Sequence, residues 1–384
     1  MSVIIHSARL VDDDRATEDA WVRFDGERVA EVGTGSAWRA VAAPSDQIVD
    51  AAAVAGTGAV LTPGFVDIHG HGGAGFSYDD GPDAIRAARE LHRAHGTTQA
   101  VISLVTAPLD AMERRVAMVA DLTETDAGIL GSHLEGPFLD HAHKGAHDER
   151  LLRPPQSDAL QRLLAAGRGT VRQVTVAPEL PGGIDAVSLV VSAGAAAAIG
   201  HTGADAGMCA EAFDAGATIL THAFNAMPGL HHRAPGPVGA AASDPRVTLE
   251  LIADGVHVHP TVVRIAFAAA PGRIALITDA MAAAGAGEGR YELGGLDVEV
   301  VDGVARLAGG GPIAGSTLMQ DAALRLCVAS GVALPAAVHA LSTAPARAVG
   351  RGADLGRLAP GFLADAVLLD ESLRVRRVWT AGRD

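Results

Sequence analysis

The chain opens on short segments in which apolar and polar residues alternate: SVIIHSARLV, then AWVRFDGERVAEVG, then DQIVDAAAVAG. Alternation of period two predicts strands with one face buried. Asp25-Gly26 between two of them is a hairpin turn signal. The last segment, GRLAPGFLADAVLLDESLRVRRVWTAGR, has the same character. Residues 1–57 and 351–384 are therefore expected to form one small β-sandwich domain built from both ends of the chain.

Between the two ends the pattern changes. Near-continuous apolar runs fall at 59–67, 97–105, 129–135, 171–177, 195–201, 218–222, 247–253 and 273–279. Amphipathic stretches separate them, among them PDAIRAARELHRAHG (82–96), LDAMERRVAMVADL (109–122) and DAGMCAEAFDAG (205–216). Strands covered on both faces lose the polar alternation, and eight of them alternating with helices predict a parallel sheet closed as a TIM-like (β/α)8 barrel over residues 58–350. An open doubly wound sheet would place its ligand at a switch point, and no GxGxxG strand-to-helix turn supports it. Residues 289–311 interrupt the alternation with a hairpin signal at Asp302-Gly303, a β-insertion after the last barrel strand. Two closing helices, 318–331 and 335–349, are expected on the barrel's outside.

Composition narrows the partners. The 384 residues are 48% apolar, 20% charged and only 3% aromatic, so the core must be largely aliphatic. A net charge of −15 disfavours nucleic acid and anionic membranes. Cys209 and Cys327 fall in predicted helices without CxxC spacing, which argues against a disulfide framework. No basic segment followed by an apolar h-region opens the chain, and no apolar run is long enough to span a bilayer. A cytoplasmic protein with no membrane partner is expected.

The candidate chemistry lies where the apolar runs stop. His69 and His71 follow PGFVDI, Glu135 ends GSHLE, His201 ends AAIGH, His222 ends ILTH and Asp279 ends IALITD. Packing gives no reason for repeated imidazoles and carboxylates at strand ends. A barrel does, because its active site gathers at the C-terminal ends of the strands. In His69-Gly70-His71 the two imidazoles share one side of an extended segment and can reach one cation. Glu135 can bind one metal or bridge two. Alone, Glu135 reads as a solvated loop residue and each histidine as a structural one; together they read as a hydrolase's metal centre. Asp279 can take a proton from a metal-bound water and pass it to a leaving group, or serve as a ligand or N-cap. His92 and His95, on a charged helix, read as solvated. His6, His133 and His339 have no supporting pattern, and His141, His143, His147, His257 and His259 lie on loops after strands.

The set LTPGFVDIHGHGG, LEGPF, KGAH, GHT, THAFNAMPGLHHR, ADGVHV, TDAM and IAGSTL resembles the amidohydrolase superfamily and, within it, the N-acetylglucosamine-6-phosphate deacetylase family. THAFNAMP and LEGPF are specific to that family, whereas HxH alone is not. The likeness runs from Met1 to the terminal PGFLADAVLLD. It implies hydrolysis of the acetamide of N-acetyl-D-glucosamine 6-phosphate to D-glucosamine 6-phosphate and acetate, in amino-sugar catabolism and cell-wall recycling. It implies that Glu135, His201 and His222 bind the principal metal, that His69 and His71 complete a second site, and that Asp279 is the acid/base. His147 is implied to polarise the acetyl carbonyl. Ala146, Asn225, Ala226, Arg233, His257, Ile313, Ala314 and Gly315 are implied to contact substrate. The implied cofactor is one or two divalent transition metals, zinc first and iron, cobalt or manganese equally suited to His and Glu ligands. A homodimer acting on a small phosphorylated amino sugar completes the expectation. VAPEL offers no lysine after the fourth strand, which argues against a different amidohydrolase with a carbamylated lysine bridge. A catalytically silent scaffold should have lost ligands, and here all are present.

Overall fold

The computed structural model describes residues 2–384. Its centre is an eight-stranded parallel sheet of β1 (Phe65–Asp67), β2 (Thr97–Val105), β3 (Ile129–Glu135), β4 (Val171–Val176), β5 (Ala196–Ile199), β6 (Ile219–Leu220), β7 (Thr248–Ile252) and β8 (Ile274–Ile277). Each strand pairs with the next in chain order, and helices such as Pro82–Ala94, Leu109–Thr125 and Ala206–Asp214 connect them. Every residue of β2 and β3 is buried, which is why these stretches read as continuous apolar runs. Asp205 caps the helix Ala206–Asp214 by accepting from the Met208 amide at 2.9 Å.

Among the described residues no ladder joins β1 to β8; side chains close the seam, helped by one backbone bond from the Asp279 amide to the His69 carbonyl at 2.8 Å. Asp67 accepts from the Thr278 amide at 3.2 Å and from its hydroxyl at 2.6 Å. Gln320 Nε2 donates to the carbonyls of Val66, 3.1 Å, and Leu276, 3.2 Å, so one side chain ties the first strand to the last. The barrel is nearly closed, and its architecture is the TIM-like one expected.

A seven-stranded sheet lies beside it. The order is Val375–Trp379, Ala366–Leu369, Val60–Pro63, Ser2–Asp12, Arg15–Asp25 and Arg28–Thr34, with Gln47–Asp50 also paired to Ser2–Asp12. Residues from both chain ends share its core, including Ile5, Phe24, Leu61, Leu368 and Trp379.

Three local expectations change. The run 59–67 is two strands, because Val60–Pro63 joins the terminal sheet and the barrel strand starts after Gly64. A Cβ on Gly64 would stand 2.2 Å from Thr98 Oγ1, so the chain crosses between sheets where only glycine fits. The insertion is a three-stranded meander, Gly289–Leu293, Leu296–Val301 and Val304–Leu307, rather than a hairpin. Its Leu293, Val298 and Val300 pack on Val105, Met281 and Ala314, covering the C-terminal end of the barrel. The second closing helix breaks at Ser342 into Leu334–Leu341 and Thr343–Ala348.

Candidate active site

Three of the candidate residues are placed by strained backbone. His201, His222 and Asp279 have φ of 47°, 29° and 48°, just beyond the ends of β5, β6 and β8. Non-glycine residues rarely occupy this region, and such strain clusters at functional sites. The apolar runs thus stop short of the chemical residues, and a left-handed turn after each strand carries the side chain inward.

Glu135, at the end of β3, is the hub. Its Oε1 lies 3.2 Å from the Nε2 atoms of His69, His201 and His222, and its Oε2 lies 3.1 Å from His71 Nε2. His201 and His222 Nε2 are 3.0 Å apart, and His69 and His71 Nε2 are 3.3 Å apart. Asp279 Oδ1 sits 3.2 Å from His71 Nε2 and 3.7 Å from His69 Nε2. All six side chains are buried.

Charge follows from this packing. Burial alone would raise Glu135 and Asp279, but His69 and the other facing imidazoles outweigh it and hold both carboxyls below their ordinary values. Burial would lower His71, yet Asp279 and Glu135 push it up to about 9. His69 is raised well above an ordinary imidazole by Glu135, Glu250 and Asp279 against its burial. His147 goes the other way, lowered by burial to about 4.

This donor set fits a divalent transition metal. Metal–nitrogen bonds of about 2.0–2.1 Å in a tetrahedron separate ligand atoms by roughly 3.3 Å, and the nitrogen and oxygen spacings here are 3.0–3.3 Å. Two ligand groups are recognisable. His69, His71 and Asp279 form one, and Glu135 with His147 and His201 forms another, each within 4.8 Å. His222 Nε2 is 3.2 Å from Glu135 and 3.0 Å from His201 Nε2, whereas His147 Nε2 stands 3.6 Å from Glu135. That spacing suits His222 to a third ligand position. The His143 carbonyl accepts from His201 Nδ1 at 2.9 Å, which turns His201 Nε2 to the centre. Gly145 permits this approach, since a Cβ there would meet the His201 ring at 3.1 Å.

The centre opens into a cavity of about 400 Å³, a size suited to a small ligand. His71, Glu135, Ala146, His147, His201, His222, Asn225, Ala226, His257, Asp279, Ile313 and Gly315 line it. His69 lies buried beneath. Two expected substrate contacts lie elsewhere. Ala314 points into the core with Met281 and Leu293, because neighbours on an extended segment alternate sides. Arg233 is on the wholly exposed stretch 229–235 and does not line its own chain's cavity. His231 and His232 sit on the same stretch with ring centroids 4.1 Å apart.

Other histidines differ from expectation. His92 is not solvated but buried, donating to the Gly72 carbonyl at 2.9 Å. His95 is half-exposed and paired with Asp321 at 2.9 Å. His133 lies inside the barrel between Ser103 and Thr175, at 2.9 and 2.8 Å. His143 lines the cavity with Nδ1 held by Asp140 at 2.7 Å, and His259 caps the helix Pro260–Ala269. The sequence reading passed over Glu250, which sits fully buried in β7 against His69 and Gln173. Its signal was a lone carboxylate inside the apolar run TLELI. Thr106, whose hydroxyl is 2.9 Å from His147 Nδ1, carried no such signal.

Comparison with known proteins agrees with this geometry. Residues 60–383 match the model of the amidohydrolase family. The chain is 42% identical over 330 residues to an N-acetylgalactosamine-6-phosphate deacetylase of Escherichia coli O157:H7, covering 84% of this chain and 87% of that protein. It is 38% identical over 340 residues to N-acetylglucosamine-6-phosphate deacetylase of Bos taurus, covering 85% and 83%. A structure of N-acetyl-D-glucosamine-6-phosphate deacetylase from Mycobacterium smegmatis, solved as a mutant in complex with N-acetyl-D-glucosamine-6-phosphate, superposes with a TM-score of 0.92 at 41% identity, over 100% of this chain and 98% of that one.

Proposed function

Because the chain belongs to the amidohydrolase family and, within it, to the N-acetylglucosamine-6-phosphate deacetylases, we propose that it hydrolyses the acetamide of N-acetyl-D-glucosamine 6-phosphate to D-glucosamine 6-phosphate and acetate. The observation that carries this reading is the convergence of Glu135, four imidazoles and Asp279 at the floor of one cavity. Glu135, His201 and His222 would hold the first metal, and His69 with His71 a second. Zinc is our choice of cation. When bound, such a cation supplies Lewis-acid polarisation of the carbonyl and acidifies water.

The protein's own groups supply the rest. Water adds to the acetyl carbon, Asp279 accepts the proton released, and the C–N bond breaks as Asp279 returns that proton to the amine nitrogen. Its lowered pKa keeps Asp279 ionised and ready to accept. The Thr106 hydroxyl is 2.9 Å from His147 Nδ1 and 3.1 Å from the Glu135 carbonyl. The carbonyl takes the hydroxyl proton, so the Thr106 oxygen accepts from His147 Nδ1 and holds that ring over the cavity, where we assign it to the acetyl oxygen. Asn225, Ala226, His257, Ile313 and Gly315 line the space left for the sugar.

Among the described residues no helix is long and apolar enough to cross a membrane. We assign the enzyme to the cytoplasm as a homodimer, an arrangement that also gives the exposed Arg233 a role at a neighbouring subunit's cavity. The test is acetate release from N-acetylglucosamine 6-phosphate, its 4-epimer N-acetylgalactosamine 6-phosphate and unphosphorylated N-acetylglucosamine, before and after chelation. No acetate from any of the three with metal supplied would refute the reading. Preference for the epimer would move the substrate assignment to the galactosamine series, as in the Escherichia coli O157:H7 relative.

A further inference from the structure

Glu250 is a carboxylate that a barrel interior does not need. It lies at the middle of β7, between Leu249 and Leu251, and it is fully buried. A buried carboxylate is costly unless donors surround it. Three do so: Gln173 Nε2 reaches Oε1 at 2.7 Å, while His69 Nδ1 at 3.0 Å and the His222 amide at 3.2 Å share Oε2. One oxygen thus touches a member of each ligand group.

The direction of the His69 contact carries the argument. A carboxylate oxygen only accepts, so Nδ1 of His69 is the donor and carries the proton. As a metal ligand the ring is neutral, and its Nε2 is then left with a free lone pair, aimed at the point where Glu135 Oε1, His71 Nε2 and Asp279 Oδ1 converge at 3.2, 3.3 and 3.7 Å. Without Glu250 the ring could rotate or take the other tautomer, and Nε2 would be a donor facing a cation. We propose that Glu250 is the positioning residue of the second metal position: it fixes the tautomer and orientation of His69 and so sets how tightly His69 and His71 hold a cation. Gln173 holds Glu250 in turn. The inference rests on the metal reading above, and carboxylates that orient ligating imidazoles typically change metal affinity 10–100-fold when lost.

The experiment is stepwise zinc loading of chelator-stripped protein, with a chromophoric chelator as competitor. It compares the unaltered protein, Glu250→Gln, the pair His69→Ala/His71→Ala, and all three changes together. The position lost in the histidine pair identifies the second site. Glu250→Gln is expected to weaken that position about 10–100-fold and to leave the Glu135–His201–His222 position within a few-fold. Added to the histidine pair, it should change zinc binding no further. Unchanged affinities in Glu250→Gln overturn the inference, as does equal weakening of both positions. A protein that binds zinc at one position only, indifferent to His69 and His71, removes the two-metal reading itself and is recognised before Glu250 is altered. A measurement without any variant guards against misfolding: histidine-selective 15N labelling of zinc-loaded protein should show His69 protonated at Nδ1. Protonation at Nε2 instead overturns the proposal.

Discussion

Asp254 Oδ2 accepts a hydrogen bond from His257 Nδ1 at 2.6 Å, while its Oδ1 accepts from the amides of Val256 and His257, both at 2.8 Å. The carboxylate therefore fixes the backbone turn and the imidazole together. Burial opposes charge on His257, but the Asp254 hydrogen bond and charge outweigh it and raise the imidazole above its ordinary value. His257 lines the cavity, so its ring keeps its proton facing an anionic substrate to higher pH than an ordinary imidazole would.

A pH dependence follows. A raised pKa means that the charge is complete below the ordinary imidazole range and is lost only as pH climbs through the shifted value. Binding of the phosphorylated sugar should weaken over that climb, and Asp254→Asn should bring the weakening to lower pH. KM measured against pH for phosphorylated and unphosphorylated substrates is the check. Identical profiles in the two proteins would show that His257 does not read the phosphate.

Asp279→Asn should retain fold and metal, because the side chains are nearly isosteric, yet lose the proton acceptor. General acid–base catalysis contributes about 10²–10⁴-fold, and kcat should fall by that order. Metal content measured on the same preparation separates this role from ligation. Normal turnover with a full metal complement excludes the acid/base assignment.

Much of this site was legible because the residue types broke a strong local pattern. His201, His222 and Asp279 each end an apolar run, and an imidazole or carboxylate there has no packing rationale. The backbone turn that aims them was not legible, since positive φ at a histidine leaves no mark in the sequence. Glu250 was hidden by its strand, where one polar residue among leucines reads as noise until its partners from β1 and β4 are in place. His92 misled for a related reason: a charged helix predicts solvent, but a bond to the Gly72 carbonyl across the fold buries that ring. The split of 59–67 came from which neighbour each half pairs with, a tertiary choice that apolar periodicity does not encode.

His222→Ala should lower metal content and turnover together. Its Nε2 stands 3.0 Å from His201 Nε2 and 3.2 Å from Glu135, at the centre of the first ligand group. Elemental analysis of purified protein gives the answer directly. Full metal content with full turnover would remove His222 from the ligand set.

Asp365→Ala tests what joins the terminal sheet to the barrel. Asp365 is buried and accepts from Gln99 Nε2 in β2 and from the Ala381 amide, each at 2.7 Å. Removing it leaves the buried Gln99 amide and the partly buried Ala381 N–H unpaired, at roughly 1–3 kcal/mol for the buried donor. Tm should fall while KM stays unchanged, because neither donor lines the cavity. An unaltered Tm would mean that water replaces the carboxylate at no cost.

Arg233 poses the sharpest question about assembly. The substrate's phosphate calls for a cation, and arginine's planar fork suits phosphate oxygens. Yet Arg233 is exposed and absent from its own chain's cavity, so the proposed contact with phosphate would come from a second copy of the chain. Arg233→Ala should then raise KM strongly for N-acetylglucosamine 6-phosphate and barely change it for the unphosphorylated sugar. Mixing settles where the arginine comes from. Dimers formed from Arg233→Ala and Asp279→Asn chains contain one subunit with an intact acid/base and a neighbour that still carries Arg233. If the arginine acts across the interface, that one cavity is complete, and the mixture regains activity at low KM that neither variant shows alone. If it acts within its own chain, every subunit that keeps Asp279 lacks its arginine, and mixing restores nothing.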